Sequence, residues 1–169
     1  MCGIVGYVGK ENAASILIEG LSKLEYRGYD SAGIAVQDNS RDKKEIEIIK
    51  AKGRLQALRE MTDNGKAVKG CCGIGHTRWA THGEPSVVNA HPHVSKDKKI
   101  AVVHNGIIEN YKEIKEYLQK KGYEFVSETD TEVIAHLLDY YYKGNCLEAI
   151  TKVLGRVRGS YALGILFQE

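Results

Sequence analysis

The second residue of the chain is a cysteine that could act as an amino-terminal nucleophile. Cys2 follows Met1 directly and precedes a glycine-punctuated apolar run, Gly3 to Gly9, which predicts a buried strand. Removal of Met1 would leave a free α-amine and a thiol on one residue, and such groups titrate at about 8 and about 8.5. The amine could then accept the thiol proton, as in amino-terminal threonine nucleophiles. The structural alternative is a cysteine that merely happens to be second.

Attack of a thiolate on an amide requires hydrogen-bond donors for the developing oxyanion, and Asn105-Gly106 could supply them. The pair follows the β-prone run Ile100 to His104, so we expect it at the end of a central strand. An Asn-Gly pair is also typical of a type I′ hairpin turn. The next segment, Ile107 to Lys121, has the apolar spacing of a helix, which disfavours a hairpin at this point.

Two charged residues could recognise the backbone groups of a free amino acid. Arg78 ends a predicted strand beside Trp79, where a guanidinium suits bidentate capture of a carboxylate. Asp130 lies near the start of a predicted helix and could bind an ammonium group. Both residues also have ordinary explanations: an arginine stem resting on a tryptophan, and an acid favoured by the helix dipole.

Six histidines raise the alternative of a metal site, with His91-Pro92-His93 near Cys71 and Cys72 as the best candidate. No Cys-x-x-Cys pair and no structural zinc spacing occurs. The glycines after Cys2 lack the lysine and serine of a phosphate loop and the acid of a dinucleotide site. We therefore expect neither a metal nor another cofactor.

Composition excludes several other classes of protein. The chain has 169 residues, 43% of them hydrophobic, and a net charge of +2, which suits one ordinary globular domain and does not suggest nucleic acid or a membrane surface. It contains no apolar run of about 20 residues and no signal peptide. The cysteines, four in number, show no disulfide spacing, so we expect a reducing, cytoplasmic location.

The elements that must position these residues form a mixed pattern of paired strands and intervening helices. Helices are predicted over residues 12–24, 53–61, 107–121 and 146–157, and another follows a predicted capping box from Thr129 to Glu132. Strands are predicted over residues 33–37, 45–51, 72–78, 100–104, 123–126 and 160–167 in addition to the first, with a hairpin loop over residues 38–44. This order favours an α+β fold with antiparallel sheets and stacked helices.

Five ordered blocks of sequence resemble one known family. They are CGIVG from Cys2, YRGYDSAG from Tyr26, HTRWATHG from His76, HNGIIEN from His104 and SETDTE from Ser127. Together they resemble the glutaminase domain of the glutamine–fructose-6-phosphate aminotransferases, which are class II, amino-terminal-nucleophile (Ntn) amidotransferases. The amidophosphoribosyltransferases share the leading Cys-Gly-Ile but typically differ at the Tyr26 block, so they are the alternative branch.

The resemblance implies a four-layer αββα Ntn-hydrolase sandwich with mainly antiparallel sheets and hydrolysis of L-glutamine to glutamate and ammonia. By position, it implies that Cys2 is the nucleophile, that Asn105 and Gly106 form the oxyanion hole, and that Arg27 steadies the amino terminus. The residues that would bind glutamine are Arg78 for its carboxylate and Asp130 for its amine, assisted by Gly106, Trp79, Thr81 and His82. The loop from Arg78 to about Pro85 would close over the site.

The resemblance also sets expectations about the whole protein. We expect residues 2–169 to be a C-terminally incomplete glutaminase domain, with the sugar-phosphate isomerase domain absent and a homodimer formed by the full-length protein. This chain alone should not make glucosamine 6-phosphate. A retained Met1 would turn the amine of Cys2 into an amide and leave an inactive module, which is the second functional alternative.

Overall fold

The computed structural model describes residues 2–38 and 44–168, which form two antiparallel sheets and five α-helices. The strands are β1 (Gly3–Val8), β2 (Ser31–Asp38), β3 (Glu45–Lys52), β4 (Cys72–Arg78), β5 (His93–Val94), β6 (Ile100–Ile108) and β7 (Gly159–Phe167). The helices are α1 (Ala13–Ser22), α2 (Leu55–Thr62), α3 (Tyr111–Lys120), α4 (Glu132–Tyr141) and α5 (Cys146–Leu154), with a 3₁₀ turn at Glu25–Arg27. The predicted hairpin loop lies mostly outside the described residues, as does Met1.

The first sheet has the strand order β1-β4-β2-β3 and carries α1 and α2 on its outer face. Helix α1 begins where the side chain of Asn12 accepts a hydrogen bond from the N–H of Ser15, at 2.8 Å. Its side chains Leu17 and Leu21 are fully buried, and each contributes about 2 kcal/mol of hydrophobic stabilisation. They press on the glycines of β4: a Cβ at Gly75 would lie 3.2 Å from Leu21. Glycine on this face of β4 therefore lets the helix approach closely.

The second sheet has the order β5-β6-β7 and is covered by α3, α4 and α5. Helix α4 is the most deeply buried of these three, with Ile134 and Leu137 inaccessible to solvent. Its neighbour α5 begins at Asn145, whose side chain accepts from the N–H of Glu148 at 3.0 Å. Among the described residues, none of the helices has the length and apolar character needed to cross a bilayer.

The two sheets face each other, and a separate hydrophobic cluster fills the space between them. Ala35 and Ile74 from the first sheet meet Ala101, Val103 and Leu166 from the second. Because side chains alternate along a strand, the same periodicity places His76 and Arg78 on the face of β4 that carries Ile74. The four layers are thus helices, sheet, sheet and helices. The prediction of an α+β sandwich with antiparallel sheets is confirmed.

Several predicted boundaries were wrong. Strand β6 continues through Asn105 and Gly106 to Ile108, because β7 pairs with its whole length, so the pair neither ends a strand nor forms a hairpin turn. Residues 123–126 are not a strand.

The predicted capping box is also absent. Helix α4 starts at Glu132, and the side chain of Thr131 at its cap makes no capping hydrogen bond. The Glu132 carboxylate accepts hydrogen bonds from the backbone N–H groups of Val126 and Ser127 instead, at 2.9 and 2.7 Å. The Glu132 side chain therefore fixes the segment of chain that precedes α4.

Candidate active site

A cavity of about 430 Å³ opens beside Cys2 at one end of the two sheets. Its walls include the nine residues predicted from the sequence, namely Cys2, Arg27, Arg78, Trp79, Thr81, His82, Asn105, Gly106 and Asp130. His91, His104, Ile107, Thr129 and Thr131 complete the lining. These residues come from segments far apart in sequence, and the fold brings them to one place. Their chemical roles remain predictions.

The sulfur of Cys2 is held against the segment that follows β4. Sγ accepts a hydrogen bond from the backbone N–H of Trp79 at 3.2 Å and lies 3.5 Å from the Trp79 carbonyl oxygen. Strand β1, which begins at the next residue, pairs with β4 and so fixes where Cys2 sits. The thiol is partly exposed and forms no disulfide. It is therefore accessible from the cavity.

Asn105 and Gly106, which lie on β6, form another part of the cavity wall. The Asn105 side chain donates from Nδ2 to the backbone carbonyl of Cys2 at 3.3 Å. Gly106 has φ = 118°, and a Cβ there would lie 2.0 Å from the carbonyl oxygen of Ser160 on β7. Only glycine can occupy this position while β6 and β7 stay paired.

Arg78 is buried and supports the loop formed by residues 79–85, here called the β4 loop. Its guanidinium donates to the carbonyl oxygens of Glu84, at 3.3 Å, and Gly83, at 3.1 Å, and also to that of His82. Nη1 lies 3.8 Å from the carboxylate of Asp30. Arg78 thus has a structural task in addition to lining the cavity. Its predicted binding of a substrate carboxylate remains untested.

Asp130 is nearly inaccessible to solvent and uses one of its two carboxylate oxygens within the protein. Oδ2 accepts from the N–H of Ile108 at 2.8 Å, while Oδ1 lies 4.0 Å from Nδ1 of His82. The ring of His82 packs edge-on against Tyr111, and its Nδ1 is 3.2 Å from Oγ1 of Thr81. Oδ1 is therefore the oxygen of Asp130 that is placed to meet a cation in the cavity.

The remaining predicted residues lie at the rim. Arg27 ends the 3₁₀ turn and is followed by Gly28, whose φ is 71°. A Cβ at Gly28 would lie 3.6 Å from the ring of Trp79, so the tryptophan covers this turn. The ring is nonetheless 54% exposed, which suits a residue that contacts a ligand or a covering segment.

Sequence reasoning missed Asp30, although it lies in one of the quoted blocks. Its carboxylate accepts a hydrogen bond from the N–H of Ala80 in the β4 loop and also faces Arg78. Its backbone N–H donates to the carbonyl of Arg78 at 2.7 Å. Asp30, which directly precedes β2, therefore ties that strand to the beginning of the β4 loop.

Apart from His82, sequence reasoning considered the histidines only as metal ligands, whereas four others form a buried cluster that reaches the cavity wall at His91 and His104. The rings of His76 and His91 stack with centroids 4.1 Å apart, and the cluster continues to His93 and His104. Burial lowers the pKa of His76 to about 4 and also lowers the pKa of the other three. Residues 2–38 and 44–168 contain no group of three or more side chains arranged to hold a metal. Because burial lowers the pKa of all four histidines, their rings are neutral at pH 7.

A sequence profile described as "Glutamine amidotransferase domain" matches residues 76–169. The chain belongs to the glutamine amidotransferase family. It is 60% identical over 169 residues to glutamine–fructose-6-phosphate aminotransferase (isomerizing) of Caldanaerobacter subterraneus subsp. tengcongensis, covering all of this chain and 27% of that protein. The chain thus spans about a quarter of the length of the curated relatives that it matches.

Two solved structures of amidotransferases share the fold. One is titled as the allosteric regulatory enzyme of purine biosynthesis, with a TM-score of 0.85, 29% identity, and coverage of 99% of this chain and 36% of that one. The other is glutamine phosphoribosylpyrophosphate amidotransferase from B. subtilis, with a TM-score of 0.83, 29% identity and coverage of 99% and 35%. The higher identity to the aminotransferases agrees with the branch favoured by the Tyr26 block.

Proposed function

We propose that this amidotransferase hydrolyses the side-chain amide of L-glutamine to glutamate and ammonia, with Cys2 as the nucleophile. The observation that supports this most directly is the arrangement of Cys2 and Asn105 on one cavity. The sulfur of Cys2 is accessible there, and the Asn105 amide nitrogen lies 3.3 Å from the carbonyl oxygen of the same cysteine. The residue before β1 and a residue of β6 would thus supply the nucleophile and a neutral N–H donor at one place.

In the proposed reaction, the sulfur attacks the carbonyl carbon of the glutamine side chain and its proton passes to the α-amine of Cys2. The oxygen of that carbonyl becomes an oxyanion, which would accept hydrogen bonds from Nδ2 of Asn105 and the N–H of Gly106. Return of the proton to the nitrogen of the substrate expels ammonia and leaves a thioester. Water then attacks the thioester, which releases glutamate and restores the thiol.

The charged residues of the cavity would select a free amino acid. Oδ1 of Asp130 would bind the α-ammonium group, and Arg78 would attract the α-carboxylate, with Trp79, Thr81 and His82 closing over the substrate. The exposure of Trp79 and the anchoring of the β4 loop on Arg78 support this assignment. Arg27 would steady the amino terminus from the rim.

For the full-length protein, we infer that the ammonia converts fructose 6-phosphate to glucosamine 6-phosphate on a separate acceptor domain. The 60% identity to an aminotransferase of that name supports the inference. Residues 2–169 would then be the glutaminase domain. A homodimer and a cytoplasmic location remain predictions; the absence of disulfides among the cysteines, all of which lie in the described ranges, fits a reducing compartment.

The test compares ammonia release from glutamine by the processed chain with release by Cys2→Ala, after intact-mass analysis has shown that Met1 is removed. Cys146→Ala is the matched control, because Cys146 begins α5 and does not line the cavity. We expect Cys2→Ala to abolish release and Cys146→Ala to retain it. An electrophilic glutamine analogue should add once, on Cys2. Unchanged ammonia release by Cys2→Ala would overturn the assignment of Cys2 as the nucleophile. A processed chain that neither reacts with the analogue nor releases ammonia would be the inactive module.

A further inference from the structure

His76 contacts the candidate oxyanion donor from behind the cavity. It lies on β4, is fully buried, and directs Nε2 at two oxygen atoms. These are Oδ1 of Asn105, at 2.8 Å, and the backbone carbonyl of His104, at 3.0 Å. The opposite ring nitrogen, Nδ1, is buried and has no hydrogen-bond partner among residues 2–38 and 44–168. The ring itself is held by stacking on His91.

The carbonyl of His104 determines which nitrogen of His76 carries the proton. A carbonyl oxygen can only accept, so Nε2 must be the N–H donor at this position. Burial lowers the pKa of His76 to about 4, so the ring is neutral at pH 7 and Nδ1 carries no proton. This agrees with the absence of a hydrogen-bond partner for Nδ1 in the part of the chain that the structure describes. The protonated Nε2 is therefore shared between the two oxygens.

The same proton determines which way the Asn105 amide points. If the amide were turned over, its NH₂ group would face the N–H of His76 and its oxygen would face the Cys2 carbonyl oxygen, so that two donors and two acceptors would be in contact. With Oδ1 towards His76, Nδ2 is directed at the amino-terminal residue and donates to the Cys2 carbonyl at 3.3 Å. An amide held the other way would present an oxygen to the oxyanion and repel it.

We propose that His76 is a positioning residue that fixes the orientation of the Asn105 amide, so that Nδ2 rather than Oδ1 faces the reacting carbonyl. His76 itself does not touch the substrate. The role of Asn105 on which this depends is part of the proposed function.

The kinetic test uses His76→Phe, which keeps a flat ring for stacking on His91 but has no N–H, and His76→Gln, which restores a donor. Removal of an oxyanion donor lowers kcat by about 10²- to 10³-fold, and a misdirected donor should cost about 10- to 100-fold. We expect this loss in His76→Phe, with KM for glutamine changed by less than about threefold. His76→Gln should recover most of kcat.

A double-mutant cycle separates positioning from general structural damage. In an Asn105→Ala background there is no amide to orient, so adding His76→Phe should lower kcat by less than about threefold. Equal losses in both backgrounds, or a normal kcat in His76→Phe alone, would overturn the proposal.

A measurement without turnover keeps the inference separate from the proposed function and serves where His76→Phe does not fold. Nitrogen-15 NMR of the histidine rings in the wild-type chain should show His76 neutral at pH 7 with its proton on Nε2. A proton on Nδ1 would overturn the positioning role. If the wild-type chain releases no ammonia, the proposed function fails, whereas the ring measurement still shows whether Nε2 of His76 is the donor that the orientation of the Asn105 amide requires.

Discussion

The backbone N–H of Trp79 donates a hydrogen bond to the sulfur of Cys2 across 3.2 Å. The loop that would cover a bound substrate is therefore also a direct neighbour of the candidate nucleophile. Arg78 holds this loop by donating to its carbonyl oxygens, and Asp30 holds it by accepting from the N–H of Ala80. Any movement of the loop must change the surroundings of the sulfur.

Replacement of Asp30 should loosen the β4 loop. Asp30→Ala removes the acceptor of the Ala80 N–H and the carboxylate beside Arg78, so we expect the KM for glutamine to rise about tenfold, since misplacement of a positioning loop is costly. The free energy of unfolding should fall by about 1–3 kcal/mol. Asp30→Asn keeps an acceptor and should be milder. Glu113→Ala, at an exposed position on α3, is the control, and equal behaviour of it and Asp30→Ala would contradict the role of Asp30.

Gly106 and Gly122 offer a matched pair of substitutions. Both have positive φ, but a Cβ at Gly122 meets nothing within 4 Å, whereas one at Gly106 would lie 2.0 Å from the Ser160 carbonyl oxygen. Gly122→Ala should therefore cost about 1 kcal/mol of unfolding free energy. Gly106→Ala should cost clearly more and should stop glutamine hydrolysis. Urea denaturation measures the unfolding free energy of both variants. Equal losses would show that β7 can shift to accommodate a side chain at residue 106.

Asp130→Asn should impair binding of glutamine more than its chemistry. Asparagine keeps an oxygen to accept from the N–H of Ile108 but loses the negative charge that faces the cavity. The loss of a charged hydrogen bond is worth about 1.5–3 kcal/mol, so KM should rise about 10- to 100-fold with little change in kcat.

A substrate without the α-amine provides the control for Asp130. The wild-type chain should use 4-carbamoylbutanoate poorly, and Asp130→Asn should lower its use no further. A variant that loses activity equally on both substrates would show that Asp130 acts in some other way.

The buried histidines predict that the chain becomes less stable in mild acid. Burial lowers the pKa of His76 to about 4, whereas an unfolded histidine titrates near 6.5. Between these values the unfolded chain binds the extra proton, so the stability linked to His76 is fully present above pH 6.5 and is lost as the pH falls towards 4. The whole effect is about 3 kcal/mol, with a slope of about 1 kcal/mol per pH unit between pH 5 and 6.

Urea unfolding of the wild type and His76→Phe across this pH range checks the sign and the size of the effect. The phenylalanine variant should show a shallower dependence between pH 5 and 6, and the two slopes should agree above pH 7. The pKa of Glu132 is lowered to about 2, although burial opposes this, by hydrogen bonds from His136, Ser127 and the backbone of Val126. The stability linked to Glu132 is therefore lost only below about pH 4.5, so it does not contribute to the slope between pH 5 and 6. Parallel curves for the two chains would show that His76 does not titrate on unfolding.

Local patterns predicted those parts of the fold that depend on near neighbours. The helix predicted over residues 12–24 is present as α1 and buries Leu17 and Leu21 as expected, although it ends at Ser22. The start of α4 was placed wrongly because the acids of its capping pattern have other partners: Glu132 accepts from Ser127, and Asp130 accepts from Ile108 on β6. No window of a few residues contains that second contact.

The site shows the same division between local and distant information. The nine predicted residues could be named because they lie in recognisable blocks, and the structure brings them to one cavity. Strand β6 could not be extended through Asn105 from sequence, because its partner β7 begins about fifty residues later. The link from His76 to Asn105 crosses between sheets and was likewise invisible.

The contact of Gly106 with Ser160 gives the molecule an order of assembly during synthesis. The thiol at residue 2 leaves the ribosome first, but β6 reaches its final pairing only when β7 is present to lie against it. A nascent chain therefore carries the Cys2 sulfur for more than 150 residues of synthesis before the part of the cavity wall formed by β6 can be completed. Under the proposed function, glutamine cleavage would begin only once the second sheet is complete.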